Sequence, residues 1–114
     1  QIDHMVISPY GIFVIETKNY KGWVHGSEDS EYWTQTFYKY KTKFRNPIKQ
    51  NWSHIYTLKE NLQEYENVPY YPIIVFVGKG KLENLDVTTD VISPNALFET
   101  IMRQRGPRKL NATK

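Results

Sequence analysis

The chain reads as an α/β domain, a mixed sheet with an antiparallel meander flanked by helices, and three observations predict it. Short apolar, β-branched runs separated by turn residues fill the first third. An apolar stripe at helical spacing follows Asn46-Pro47. Finally, the run Ile73 to Val77 stands between Pro72 and Gly78 as a buried strand does. At 114 residues the chain is sized for one domain, expected to span 1–114.

Ile2 to Ser8 and Ile12 to Lys18 are joined by Ser8, Pro9, Tyr10 and Gly11, a hairpin signal. Both runs are apolar on both faces, so both are expected to be central in a covered sheet. After a turn at Asn19 to Gly22, Trp23 to His25 and Tyr32 to Tyr40 continue the sheet as a meander around the polar loop Gly26 to Glu31. Asn46 then caps a helix and Pro47 sits in its first turn, where a missing N–H costs nothing. Ile48, Ile55, Leu58, Leu62 and Tyr65 form its apolar stripe, which should pack on the sheet. The buried strand ends at Gly78 to Gly80. A short strand near Val91 and Ile92 follows, then a helix from about Pro94 to Arg103, with Ser93 as cap and Leu97, Ile101 and Met102 inward.

Composition narrows the chemistry. Hydrophobic residues make up 39% and charged residues 24%, as in a folded globular chain. There is no cysteine, which rules out disulfides, thiolate metal sites and a cysteine nucleophile. No stretch is long and apolar enough to span a bilayer and no signal peptide is evident, so a cytoplasmic domain without membrane contact is expected. The chain starts with Gln1 inside a strand-like run, and the expectation is that it is cut from something longer. Net charge is +3 and the isoelectric point is near 9.1. The cations are clustered: Lys39, Lys41, Lys43, Arg45 and Lys49 in one segment, Arg103, Arg105, Arg108 and Lys109 in the tail.

Polar groups that interrupt buried strands point to a site. Asp3 interrupts the first strand, Glu16 and Lys18 the second. Residues two apart on a strand share a face, so Glu16 and Lys18 point one way and Thr17 the other. A loop of Ser8 to Gly11 pairs Ile7 with Ile12, Met5 with Val14 and Asp3 with Glu16, bringing two carboxylates and an amine together. A three-residue loop with a bulge would pair Asp3 with Thr17 instead. Opposed carboxylates repel unless a cation lies between them. Magnesium, or manganese in its place, suits Asp3, Glu16 and the Thr17 carbonyl, with Lys18 placed to stabilise charge at a phosphate. An Asp3 that caps a strand end beside a solvated Glu16 and Lys18 pair is the plain alternative, and spacing alone leaves it open.

The stretch Gln1-Ile2-Asp3-His4, then Ser8-Pro9-Tyr10-Gly11-Ile12-Phe13-Val14-Ile15-Glu16-Thr17-Lys18-Asn19-Tyr20, with Gly22, Trp23, Gly26, Trp33, Asn46-Pro47, Gln50 and His54, is similar to the nuclease-related domain called NERD. The resemblance runs from Gln1 to about Gly78. It implies a restriction-endonuclease-like core of the PD-(D/E)XK type, with Asp3 as the metal-binding aspartate, Glu16 as the second carboxylate and Lys18 as the catalytic lysine. Related nucleases carry a glutamine and a tyrosine at the separation of Gln50 and His54, which makes Gln50 a candidate site residue and leaves His54 to orient phosphate or bond to backbone. The family's preceding helix with its glutamate, and a further strand, are absent here; their absence implies weaker metal binding and a sheet edge that a second copy could fill.

Tyr38 to Arg45 alternates rings and cations, the pattern of a groove that tracks a phosphate backbone. In a strand Lys39, Lys41 and Lys43 would form one row, with Arg45, Lys49 and His54 extending the nucleic-acid contact. A lysine-protected edge strand is the competing reading. The sequence therefore predicts a Mg²⁺- or Mn²⁺-dependent nuclease with little sequence specificity, DNA its expected partner and RNA left open. The alternatives are a binding or scaffolding module that kept the fold without cutting, and a purely structural module that would leave the basic strand unexplained.

Overall fold

The structure, a computed structural model, describes residues 4–65 and 67–103. Two four-stranded sheets face one another across a shared core. The first has the order β1 (His4–Ser8), β2 (Gly11–Asn19), β6 (Tyr70–Val77), β8 (Asp90–Ile92); the second runs β5 (Lys41–Arg45), β4 (Tyr32–Thr36), β3 (Trp23–Ser27), β7 (Lys81–Asp86). Helix α1 (Pro47–Asn61) lies against one face of the first sheet, and α2 (Leu97–Met102) belongs to the other.

The hairpin takes the register that pairs Ile7 with Ile12 and Met5 with Val14, and it is described out to His4 opposite Ile15. Ser8 closes it: its hydroxyl accepts from the Tyr10 N–H at 3.2 Å and donates to the Gly11 carbonyl at 3.1 Å. Gly11 has φ 148°, and a side chain there would press on the Pro69 carbonyl and the Tyr71 ring. Asp3 lies outside the described residues, as do Arg105, Arg108 and Lys109 in the tail.

From Ile12 to Asn19, β2 runs parallel to β6, and its side chains alternate between two apolar layers. Ile12 and Val14 pack with Ile55 and Tyr70 under α1. On the reverse face Phe13 and Ile15 join Ile73 and Val75 under Leu97 and Ile101. A third layer joins the sheets, with Val24 and Trp33 of the second meeting Ile48 of α1 and Ile74 and Phe76 of the first. Gly26 is required there, because a Cβ would overlap the Trp33 ring.

Several expectations are corrected. The meander does not continue the first sheet; it starts a second one, because Trp33 and Val24 turn their side chains to a core that Ile74 and Phe76 cover from the far side. The run Tyr32 to Tyr40 is not one strand: the chain reverses at 37–40, closed by the Phe37 N–H on the Tyr40 carbonyl (2.8 Å) and by stacking of the two rings. Lys39 therefore sits in the bend, and the cationic row of β5 is Lys41, Lys43 and Arg45. β1 is an edge strand of the first sheet among the described residues, and Met5, Val6 and Ile7 are exposed. The first helix ends at Asn61, leaving Tyr65 in a 3₁₀ turn, and Ser93 makes no side-chain cap bond, its hydroxyl being engaged with Asn95. No described helix is long and apolar enough to cross a membrane.

Asn46 ties the second sheet to α1. Its Oδ1 accepts from the Ile48 N–H at 2.9 Å, as predicted for the cap, while its Nδ2 donates to the carbonyls of Ser27, Glu28 and Ser30. The residue is 1% exposed, so water cannot replace these partners. Asn46→Ala is expected to cost about 2–4 kcal/mol, the cap plus unsatisfied carbonyls. Asn46→Asp keeps the cap acceptor but turns a negative charge on three carbonyls, and is expected to lose a comparable amount. Urea unfolding checks both: the midpoint falls at constant slope, and an Asn46→Asp midpoint equal to wild type would show that the donor bonds contribute nothing.

Candidate functional site

Polarity changes along one face of β2. Ile12 and Val14 are apolar; Glu16 and Lys18 follow on the same side, and Tyr20 continues just beyond the strand. Glu16 is only 3% exposed because Ile74 lies beside it on β6 and α1 passes over it. Holding a carboxylate there costs several kcal/mol unless partners meet it. Two do: Lys18 Nζ stands 2.9 Å from Oε2, and His54 Nδ1 stands 3.2 Å from Oε1. The first contact is a direct ion pair. The second has the distance but not the alignment of a hydrogen bond, and Oε1 is left without an aligned donor among the described residues.

Helix α1 brings His54 over Glu16 through a specific tether. Asn51, fully buried, donates from Nδ2 to the Val14 carbonyl at 2.8 Å, two residues before Glu16 on the strand. That bond fixes the rotation of the helix, and Gln50 and His54, which flank Asn51, come to the same side as the carboxylate. Together Glu16, Thr17, Lys18, Gln50, Ser53, His54 and Arg45 line an open cleft of about 500 Å³.

The structure thus gathers Glu16, Thr17, Lys18 and Gln50, predicted for the site, with His54 and Arg45, both expected on the nucleic-acid contact. Lys49 lines a separate groove with Trp52 and Tyr56, on the other side of Ser53. Lys41 and Lys43, earlier on β5, do not line the cleft, and Lys39 is in the bend. Among the described residues no group of three or more His, Asp or Glu gathers as a metal site. What they do provide is one buried carboxylate oxygen with no aligned donor at the wall of an open cleft, the kind of hard oxygen that Mg²⁺ or Mn²⁺ takes as a ligand.

Tyr20 and Ser53 were missed. Tyr20 carries a sequence signal in hindsight, since positions 16, 18 and 20 share parity. Its ring packs on Phe44 at 4.2 Å and Phe76 at 5.2 Å. Burial, and then the negative charge of Glu16, push its hydroxyl up to about 12 from the usual 10.0.

Comparison with known proteins supplies a family. Residues 1–77 match the sequence model described as the nuclease-related domain, NERD. An uncharacterized protein of Bacillus anthracis is 40% identical over 87 residues, an alignment that covers 76% of this chain and 40% of that protein. The aligned part is therefore less than half of that relative. No solved structure matches the chain.

The raised Tyr20 value has a signed consequence. The neutral phenol is favoured in the folded state, so its contribution is complete below the ordinary value of 10.0 and is lost as pH rises toward about 12. Unfolding followed by urea across that window should show wild type losing more stability than Tyr20→Phe. Parallel curves for the two proteins would mean that Tyr20 is not buried against the carboxylate.

Proposed function

Because the chain belongs to the NERD family of nuclease-related domains, we propose that it is a metal-dependent nuclease that hydrolyses phosphodiester bonds of DNA with little sequence specificity. The observation that carries this reading is Glu16, a buried carboxylate that opens on a cleft between Lys18 and His54. On the same reading, the first sheet and α1 form a restriction-endonuclease-like core of the PD-(D/E)XK type.

Each residue then has a task. Glu16, Asp3 and the Thr17 carbonyl would hold Mg²⁺ or Mn²⁺, which when bound supplies Lewis acidity toward a phosphate oxygen and toward water. Lys18, held at the cleft by its ion pair, stabilises the negative charge that grows on the phosphate as water attacks phosphorus and the bond to the leaving sugar oxygen breaks. Arg45 and Gln50 line the cleft where they can hold the phosphate's other oxygens. His54 stands beside Glu16 on the helix side of the cleft, where it can orient a phosphate oxygen. The tasks assigned here are all to the phosphate and the metal, contacts that carry no sequence information, in keeping with cutting that has little regard to sequence.

A second reading, binding without cutting, draws on one observation: Glu16 is the cleft's only carboxylate among the described residues. The assay that separates the two uses plasmid and single-stranded DNA with Mg²⁺ or Mn²⁺. Cleavage is expected from the wild type, reduced about 100-fold or more by Lys18→Ala, Asp3→Ala and Glu16→Gln, each checked for folding by circular dichroism. Cleavage that survives Lys18→Ala and Asp3→Ala unchanged, or DNA binding without any cleavage, removes the nuclease proposal.

A further inference from the structure

The outer face of the second sheet has an arrangement that the cleft does not explain. Register alone sets it out. On β4, Trp33 points into the core, so Tyr32, Thr34 and Thr36 point outward. Their partners on β5 are Arg45, Lys43 and Lys41, and Thr36 lies opposite Trp23 of β3, which in turn lies opposite Lys81 of β7. Val24 is buried, which confirms that Trp23 and His25 face out. The acidic residues of this sheet, Glu83 and Asp86, are confined to the far edge strand β7.

The face therefore presents two rings among cations. Trp23 is 41% exposed and Tyr32 50%, a high value for large rings on a sheet. They are separated by four residues along the strand direction and one strand across, on the order of 13 Å, a span that takes about two extended nucleotides. At one end the row reaches Arg45, which also lines the Glu16 cleft. At the other it reaches the bend at 37–40, where Tyr38 and Tyr40 are exposed. Rings spaced this way on an open sheet accept unstacked bases, while lysines two apart follow the phosphates between them. A duplex keeps its bases stacked on each other and offers such rings nothing.

We propose that the outer face of β3, β4 and β5 is a track for a single-stranded polynucleotide, with Trp23 and Tyr32 as base-stacking platforms, Lys41 and Lys43 on the phosphates, and Arg45 delivering the strand to the cleft. Only the destination rests on the nuclease reading. Binding stands on the face itself, so it is measured separately, in EDTA, where nothing is cut.

The experiment is fluorescence anisotropy with labelled oligothymidylate and oligouridylate of about 20 nucleotides, and with a hairpin duplex of equal charge. Tight binding of either single strand, and weaker binding of the duplex, is expected. Trp23→Ala and Tyr32→Ala should each weaken single-strand binding about five- to a hundredfold, with Trp23→Phe and Tyr32→Phe restoring most of it. Lys41→Ala combined with Lys43→Ala should lower the salt slope by about 1.4. Alanine variants that stay folded and bind like wild type overturn the track, as does equal affinity for the duplex. If the alanine variants lose binding while no metal supports cleavage, the nuclease reading falls and the track stands; if wild type cuts and the aromatic variants bind normally, only the track falls.

Discussion

A carboxylate buried on the central strand of the first sheet is the constraint on which the rest depends. Glu16 is 3% exposed and its neighbour across β6 is Ile74, so the apolar packing that stabilises the sheet is what makes the charge expensive. Its oxygens need partners from two directions. Lys18 comes from the same strand and follows from parity alone. His54 comes from α1, and can reach the carboxylate only if the helix has one rotation and one axial position. Two buried asparagines set these. Asn51 bonds the Val14 carbonyl and fixes rotation, while Asn46 anchors the first turn to the end of β3 and the loop that follows it. Both are amides rather than acids because each must donate to carbonyl oxygen.

How much of this was legible depends on whether the controlling interaction is local. The hairpin register was, because Gly11 and the Ser8 turn fix it within a few residues. So were the Asn46 cap and the shared side of Glu16 and Lys18. The division into two sheets was not, since hydropathy says that Val24 and Trp33 are buried but not that Ile74 and Phe76 cover them from another layer. The apolar faces of β1 were read as a central strand, and among the described residues they belong to an edge.

Two misses have sharper causes. In β7 the residues facing β3's inward positions are Leu82 and Leu85, three apart, because a bulge lies opposite Val24 to Gly26, where the inward positions are two apart. That extra residue breaks the period of two by which a strand is recognised. The reversal at 37–40 has no glycine or proline; a backbone bond and the stacked rings of Phe37 and Tyr40 close it, so Tyr32 to Tyr40 reads as one continuous strand. An unbroken strand counts Lys39 in the cationic row with Lys41 and Lys43, whereas the pairing of β5 with β4 leaves Lys39 in the bend and sets Arg45 opposite Tyr32.

The position of Arg45 links the two sheets for a covalent reason. It is the last residue of β5, and the next residue is the cap of α1. Asn46 is held by three carbonyls, one at the end of β3 and two in the loop that follows it, so the end of the cationic row cannot shift without breaking the start of the helix that carries Gln50 and His54. Rotating the second sheet relative to the first would move Arg45 and the cap together. One buried amide therefore sets both the helix over the carboxylate and the cation at the mouth of the cleft, and the outer face of the second sheet is held in a fixed relation to a site built on the first.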